Sequence, residues 1–312
     1  MNRHESPLNR KITRRRFLRN AAGTGLAFSA ITDLNRSSRS ALPRRPLGST
    51  GLEVTILGLG CVAIGYGRHS VSEGAEIVHA CIDQGINYID CASSYGNAEV
   101  KVGEAMVTRR KEVVLTTKTL ERSKESAWKE INRSLERLKT YVDLLQIHAI
   151  NTFDDLELIT GRDGSLAAAK RAKEEGMAMH IGITGHTRPE VLVEAFRRFP
   201  FATALVPLSS TDKLVSDFGT HIFPLSQEMG FGVIAMKVLA AGRVTNHVQE
   251  SLRYSFTLPV STAIVGMGTL EEVAQNTDIA REFSPMSPSE MSFLEEKTRT
   301  FATTDVMWWK RR

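Results

Sequence analysis

The stretch YIDCASSYGNAEV, residues 88–100, runs a short apolar strand into Asp90 and then, within one loop, offers Tyr95 and Glu99. An acid at the carboxyl end of a strand, with a phenol just beyond it, directs attention to the ends of the other strands. Lys118 ends VVLTTK (113–118), and His148 follows LLQI (144–147). The separations are 28 and 30 residues, each the length of one strand-plus-helix unit, which places the three side chains on adjacent strands at one level of one rim.

Outward from this stretch, short runs rich in β-branched residues alternate with longer segments of helical spacing. Strands are predicted at 54–58, 86–90, 112–117, 142–147, 180–183, 202–206, 231–236 and 261–265. Ser123 opens a helix with Ile131, Leu135 and Leu138 on one face, and TRPE (187–190) and SPSE (287–290) read as capped helix starts. Eight strand-helix units in about 250 residues fit a single-domain α/β fold, the (β/α)8 TIM barrel. The barrel is expected over 45–285, after a leader and linker at 1–44 and before a C-terminal helix and tail at 286–312. GLGCVA (58–63) matches a dinucleotide fingerprint, but no helix is expected before Ser72 and Asp83 falls within a helical segment, so a Rossmann unit is set aside.

With 312 residues, 42% of them hydrophobic, the chain can bury a large core. Its net charge of +5 comes from the first 40 residues, which hold nine Lys/Arg against Glu5 and Asp33. The remainder has 31 basic and 33 acidic residues, so no nucleic-acid partner is expected. Cys61, Cys81 and Cys91 are odd in number and lack metal spacing, which argues against a disulfide framework or a metal site. A metal-dependent barrel using His148, His180, His186 and Asp90 fails because His180 starts its strand, at the wrong rim.

The leader, ITRRRFLRNAAGTGLAFSAITDL (12–34), sets Arg14, Arg15 and Arg16 before Phe17-Leu18 and a mildly apolar stretch from Ala21 to Ile31. That stretch is too short and polar for a stable membrane span. It resembles a twin-arginine export signal, which implies the twin-arginine machinery as a partner and a periplasmic or exported location; the alternative is a basic tail on a cytoplasmic protein.

Asp90, Tyr95, Lys118 and His148 together suit acid catalysis by a phenol. Tyrosine donates poorly at neutral pH, with a pKa near about 10, but an adjacent ammonium lowers that value. Lys118 is placed to do this, Asp90 to hold Lys118 charged, and a neutral His148 to donate a hydrogen bond to the same substrate oxygen.

At these residues the sequence resembles the aldo-keto reductase family, through RPLGSTGLEVTILGLG (45–60), YIDCASSYGNAE (88–99), TTK (116–118), LLQIHAI (144–150) and IGITGHT (181–187). The resemblance implies a catalytic tetrad of Asp90, Tyr95, Lys118 and His148, with Tyr95 the proton donor. It also implies hydride transfer from NADP or NAD to a small carbonyl compound: an aldehyde, ketone or sugar. The alternative function is a non-catalytic nicotinamide-binding or partner-binding barrel.

For the cofactor, VGMGTLEEVAQN (265–276) offers glycines before a helix, where free N–H groups favour an anion. The resemblance aligns Gly266, Gly268, Thr269, Glu272, Gln275 and Asn276 with contacts to the adenosine end. It aligns Met236 and Lys237 with the packing against the nicotinamide ring, and Thr184 with Gly185 with the pair that holds the carboxamide. Glu272 or Thr269 stands where many relatives have the arginine for the 2′-phosphate, which leaves NADP preference open. Leu205 and Gly185 replace two carboxamide contacts, and short loops imply an open substrate pocket. His186 is either a substrate contact or a loop residue, and Trp308 and Trp309 either fold over the barrel mouth or form a loose tail.

Overall fold

A two-stranded antiparallel hairpin, β1 (Arg44–Pro46) and β2 (Glu53–Thr55), precedes eight parallel strands. These are β3 (Leu57–Gly60), β4 (Tyr88–Asp90), β5 (Val114–Thr119), β6 (Val142–Ile147), β7 (Ala178–Thr184), β8 (Thr203–Pro207), β9 (Gly232–Met236) and β10 (Thr262–Gly266). They pair in chain order, and β10 closes on β3 to complete a (β/α)8 barrel in one domain. The structure, a computed structural model, describes residues 12–14 and 40–311.

The strands alternate inward and outward, as their two-residue period requires. Tyr88, Val114, Leu144, Leu205, Ile234 and Met236 fill the barrel, and Leu47 and Val54 of the hairpin region pack into its floor. The intervening residues, such as Ile89, Leu115, Leu145 and Ile147, face the surrounding helices. One of these helices, Lys124–Leu138, starts at Ser123, whose side chain accepts the Ser126 N–H, and buries Ile131, Leu135 and Leu138.

Four local expectations are corrected. The predicted first strand at 54–58 is two elements, because Ile56 donates its N–H to Pro43 and breaks the run between β2 and β3. A five-residue helix, Val62–Tyr66, starts within GLGCVA, although the barrel topology still excludes a Rossmann unit. In TRPE, Thr187 does not cap: the helix begins at Pro189, and Thr187 Oγ1 donates instead to the Asn151 carbonyl at 3.3 Å. Lys118 is not the last residue of its strand, which continues to Thr119. The capping box at Ser287 and Glu290 forms, and a second forms at Ser70 and Glu73.

Of the arginine triplet, Arg14 is described; its N–H donates to the Gly176 carbonyl at 2.9 Å. Arg15, Arg16 and the apolar stretch 21–31 of the expected export signal lie outside the described residues. Among the described residues, no helix is long and apolar enough to cross a membrane.

Candidate active site

Asp90 and Lys118 share the inward face with Tyr88 and Val114, and the same alternation carries His148 inward one step beyond β6. They are not paired directly across the sheet. Asp90 pairs with Thr116 and Lys118 with Gln146, so each is offset one pleat along its strand from its predecessor instead of lying level. The strand tilt nevertheless brings them together: Lys118 Nζ donates to Asp90 Oδ1 at 2.5 Å and to the Cys91 carbonyl at 2.8 Å. The ammonium also lies 4.6 Å from the centre of the Tyr95 ring. Tyr95 and His148 meet edge to face, with ring centres 6.0 Å apart.

The charges follow from this geometry. Burial disfavours the Lys118 ammonium, but the Asp90 carboxylate and the Tyr95 phenol outweigh it and hold it above its usual range. Burial pushes the Tyr95 phenol up to about 12, with Lys118 pulling the other way. The ammonium thus moderates the phenol without lowering it below its ordinary value, contrary to the sequence expectation. Burial, then Lys118, pushes His148 well below the usual imidazole range, so it is neutral at physiological pH.

Several residues that build this site were missed by the motif reading. Asp90 Oδ2 accepts from Thr116 Oγ1 at 3.1 Å and from Gln146 Nε2 at 3.2 Å. Arg122, paired with Asp155 at 2.9 Å, donates to the carbonyls of His148 and Ala149, both at 3.0 Å. Asn151 Oδ1 accepts the His186 N–H at 2.8 Å. Gln146 was detectable as a lone amide within an apolar strand; Arg122 and Asn151 act through the backbone and leave no pattern.

On the cofactor side, Thr184 is buried and its Oγ1 accepts the Ala149 N–H at 2.7 Å, beside His148. A Cβ on Gly185 would come within 2.9 Å of the Ile150 carbonyl oxygen, so a larger residue does not fit here without rearrangement. Met236 is buried in the barrel interior at the end of β9, and Lys237 follows it. After β10, Gly266 is exposed and Thr269 caps the helix Leu270–Arg281 by accepting the Glu272 N–H at 3.2 Å. Glu272 Oε2 in turn accepts the Gly268 N–H at 2.6 Å, so a carboxylate of the chain occupies the donor that an incoming anion would use. Gln275 is exposed and Asn276 is buried.

The mouth is less open than the short loops imply. Trp309 is buried, and its Nε1 donates to Asp212 Oδ1 at 3.3 Å, which draws the C-terminal tail over the loop after β8. His186 lies beside the tetrad, its ring centre 6.1 Å from that of His148.

A closed (β/α)8 barrel with a buried Asp–Lys pair, a phenol and a neutral imidazole at its carboxyl rim defines a barrel oxidoreductase. The chain belongs to the aldo/keto reductase family, whose model matches residues 56–291, and is thus an NAD(P)-dependent oxidoreductase. It is 30% identical over 237 residues to the uncharacterized oxidoreductase YqkF of Bacillus subtilis, covering 70% of this chain and 73% of that protein. It is 26% identical over 310 residues to L-galactose dehydrogenase of Arabidopsis thaliana, covering 85% and 96% of the two chains. Among solved structures, it resembles the holo form of aldo-keto reductase AKR11C1 from Bacillus halodurans. The TM-score is 0.68 at 25% identity, covering 82% of this chain and 96% of that one.

Proposed function

We propose that the protein transfers a hydride to the carbonyl carbon of an aldehyde, ketone or sugar, with Tyr95 as the general acid. The observation that carries this reading is the Lys118 ammonium, bonded to Asp90 and set against the Tyr95 ring beside a neutral imidazole. When bound, the nicotinamide supplies the hydride. Tyr95, protonated at neutral pH, gives its proton to the carbonyl oxygen as negative charge develops there. Lys118 stabilises the phenolate that remains, Asp90 keeps Lys118 charged and in place, and His148 offers an N–H to the same oxygen.

The rim suits a nicotinamide dinucleotide: the His148 Nδ1 is buried without a partner among the described residues, and β9 ends on the apolar side chain of Met236. Thr184, Gly185, Met236 and Lys237 would hold the nicotinamide end, and Gly266, Gly268, Thr269, Glu272, Gln275 and Asn276 the adenosine end. The likeness to an L-galactose dehydrogenase supports sugars within the carbonyl class. The arginine-rich leader supports export by the twin-arginine machinery, and with it a periplasmic location.

Fluorescence titration with NADH and NADPH, followed by turnover of a panel of aldehydes, ketones and sugars, tests the reading. Saturable nucleotide binding with turnover of at least one carbonyl supports it. Binding without turnover across the panel would instead favour a non-catalytic barrel.

A further inference from the structure

The turn that presents the His148 imidazole is strained. β6 ends at Ile147, and two residues further on Ala149 has φ 57°, in the left-handed region that a residue bearing a Cβ disfavours. Such backbone persists where the surrounding structure enforces it. Part of the enforcement comes from the neighbouring strands. His148 donates its N–H to the Thr119 carbonyl at 2.9 Å, Ala149 to Thr184 Oγ1 at 2.7 Å and Ile150 to the Thr184 carbonyl at 2.8 Å.

The rest comes from one guanidinium. Arg122 stands in the loop after β5, four residues beyond Lys118. Its Nη1 donates to the carbonyls of His148 at 3.0 Å and Leu120 at 2.9 Å, its Nη2 to the carbonyl of Ala149 at 3.0 Å, and its Nε to Asp155 Oδ1 at 2.9 Å. Four of its five N–H groups thus have acceptors. The His148 and Ala149 carbonyls flank the φ and ψ of Ala149, so holding both on one planar fork fixes the strained conformation. Asp155 is itself anchored: its Oδ2 accepts the Asn151 N–H at 3.3 Å and the Thr152 hydroxyl at 3.2 Å, at the start of the helix Phe153–Thr160. A lysine would keep the charge of Arg122 but not the fork.

We propose that Arg122 is a positioning residue for His148: its guanidinium, anchored on Asp155, keeps the His148–Ala149 turn in its left-handed form, and that turn aims the imidazole at the substrate oxygen. This rests on the reading of His148 as a hydrogen-bond donor to that oxygen. Arg122 acts through the backbone alone, so its loss falls on the transition state and not on substrate binding.

The test uses the full-length wild type, Arg122→Met, Arg122→Lys and Ala149→Gly, and each Arg122 variant combined with Ala149→Gly. Glycine adopts the left-handed conformation without a Cβ penalty, so it should hold the turn without the guanidinium. With NADH or NADPH and an aldehyde that the wild type reduces, both Arg122 variants should lower kcat by about ten- to a hundredfold with KM nearly unchanged. Ala149→Gly should restore most of that loss in each, and alone should keep the wild-type kcat. A merely structural ion pair predicts that Arg122→Lys behaves as wild type and that glycine rescues nothing. Either result overturns the proposal, as does a loss confined to KM. Diethyl pyrocarbonate modification of His148, followed by mass spectrometry, reads the same positioning without turnover. The buried ring should react slowly in the wild type, faster in the Arg122 variants and slowly again once glycine is added; equal rates throughout overturn the proposal. If the wild type reduces no aldehyde, the reductase reading fails separately and the modification rates decide for Arg122. If Arg122→Met does not fold, Arg122→Lys carries both measurements.

Discussion

Lys118 and Asp90 form an ion pair in which neither side chain has any solvent exposure. A buried pair adds little net stability over an apolar substitute, but removal of one partner strands the other charge in the interior, at a cost of about 3–5 kcal/mol. Thr116 and Gln146 hold Asp90 in place whether or not Lys118 is present, so its carboxylate cannot turn towards water. Lys118→Met should therefore lower the urea midpoint sharply, and Lys118→Met with Asp90→Asn should recover much of the loss. If the double variant is less stable than the single one, the penalty comes from lost packing and not from stranded charge.

Tyr95→Phe removes the proposed proton donor while retaining the ring against Lys118. Carbonyl reduction should fall by about 10²–10⁴-fold with nucleotide affinity nearly unchanged, since a general acid acts in the transition state. A variant that keeps more than about a tenth of the rate excludes Tyr95 as the acid. The same assignment fixes a pH profile. Reduction needs the protonated phenol, which is lost only as the pH rises towards about 12, and His148 stays neutral down to well below the usual imidazole range. Wild-type kcat/KM for reduction should thus be flat from about pH 7 to 9. A decline inside that window would assign the acid to another group.

The tetrad was legible because Asp90, Lys118 and His148 break apolar runs at intervals of one strand-helix unit, a pattern that chain order and strand period create together. The offset of one pleat between neighbours was not legible, since it depends on the pairing register and the strand tilt. Nor was the closed tail. Asp212 and Trp309 are 97 residues apart and meet only once the barrel has formed. At 54–58 the β-branched run predicted one strand, yet the hairpin at the barrel floor claimed its first half. The direction of the Tyr95 shift was misjudged because the sequence displays the neighbouring ammonium but not the burial that outweighs it.

The proposed place of Glu272 at the adenosine end leads to a prediction on the choice between the two nicotinamide dinucleotides. Its carboxylate accepts the Gly268 N–H at 2.6 Å, at the helix N-terminus where a 2′-phosphate would seek donors. It fills that donor and repels the phosphate, so NADH should bind at least as tightly as NADPH. Glu272→Arg frees the N–H and adds a charge-assisted contact of about 1–3 kcal/mol, which should improve NADPH binding relative to NADH by about one to two orders of magnitude. Fluorescence titration of both nucleotides measures this ratio, and no change would place the adenosine ribose elsewhere.

Export, if the arginine triplet directs it, bears on how the enzyme turns over. A protein that crosses the membrane already folded arrives where no soluble nicotinamide pool is expected, so a freely exchanging cofactor would serve it for one turnover at most. The reading consistent with both features is that the cofactor crosses with the protein, dissociates slowly and is regenerated in place, one substrate being oxidised for each one reduced. Protein from the periplasmic fraction should then retain close to one nicotinamide per chain after extensive dialysis. Arg15→Lys together with Arg16→Lys should leave the protein in the cytoplasm. Substoichiometric cofactor in the periplasmic protein would defeat the carried-cofactor idea, and cytoplasmic retention with Arg14, Arg15 and Arg16 intact would defeat export. Neither result would touch the assignment of Tyr95, whose test uses added nucleotide.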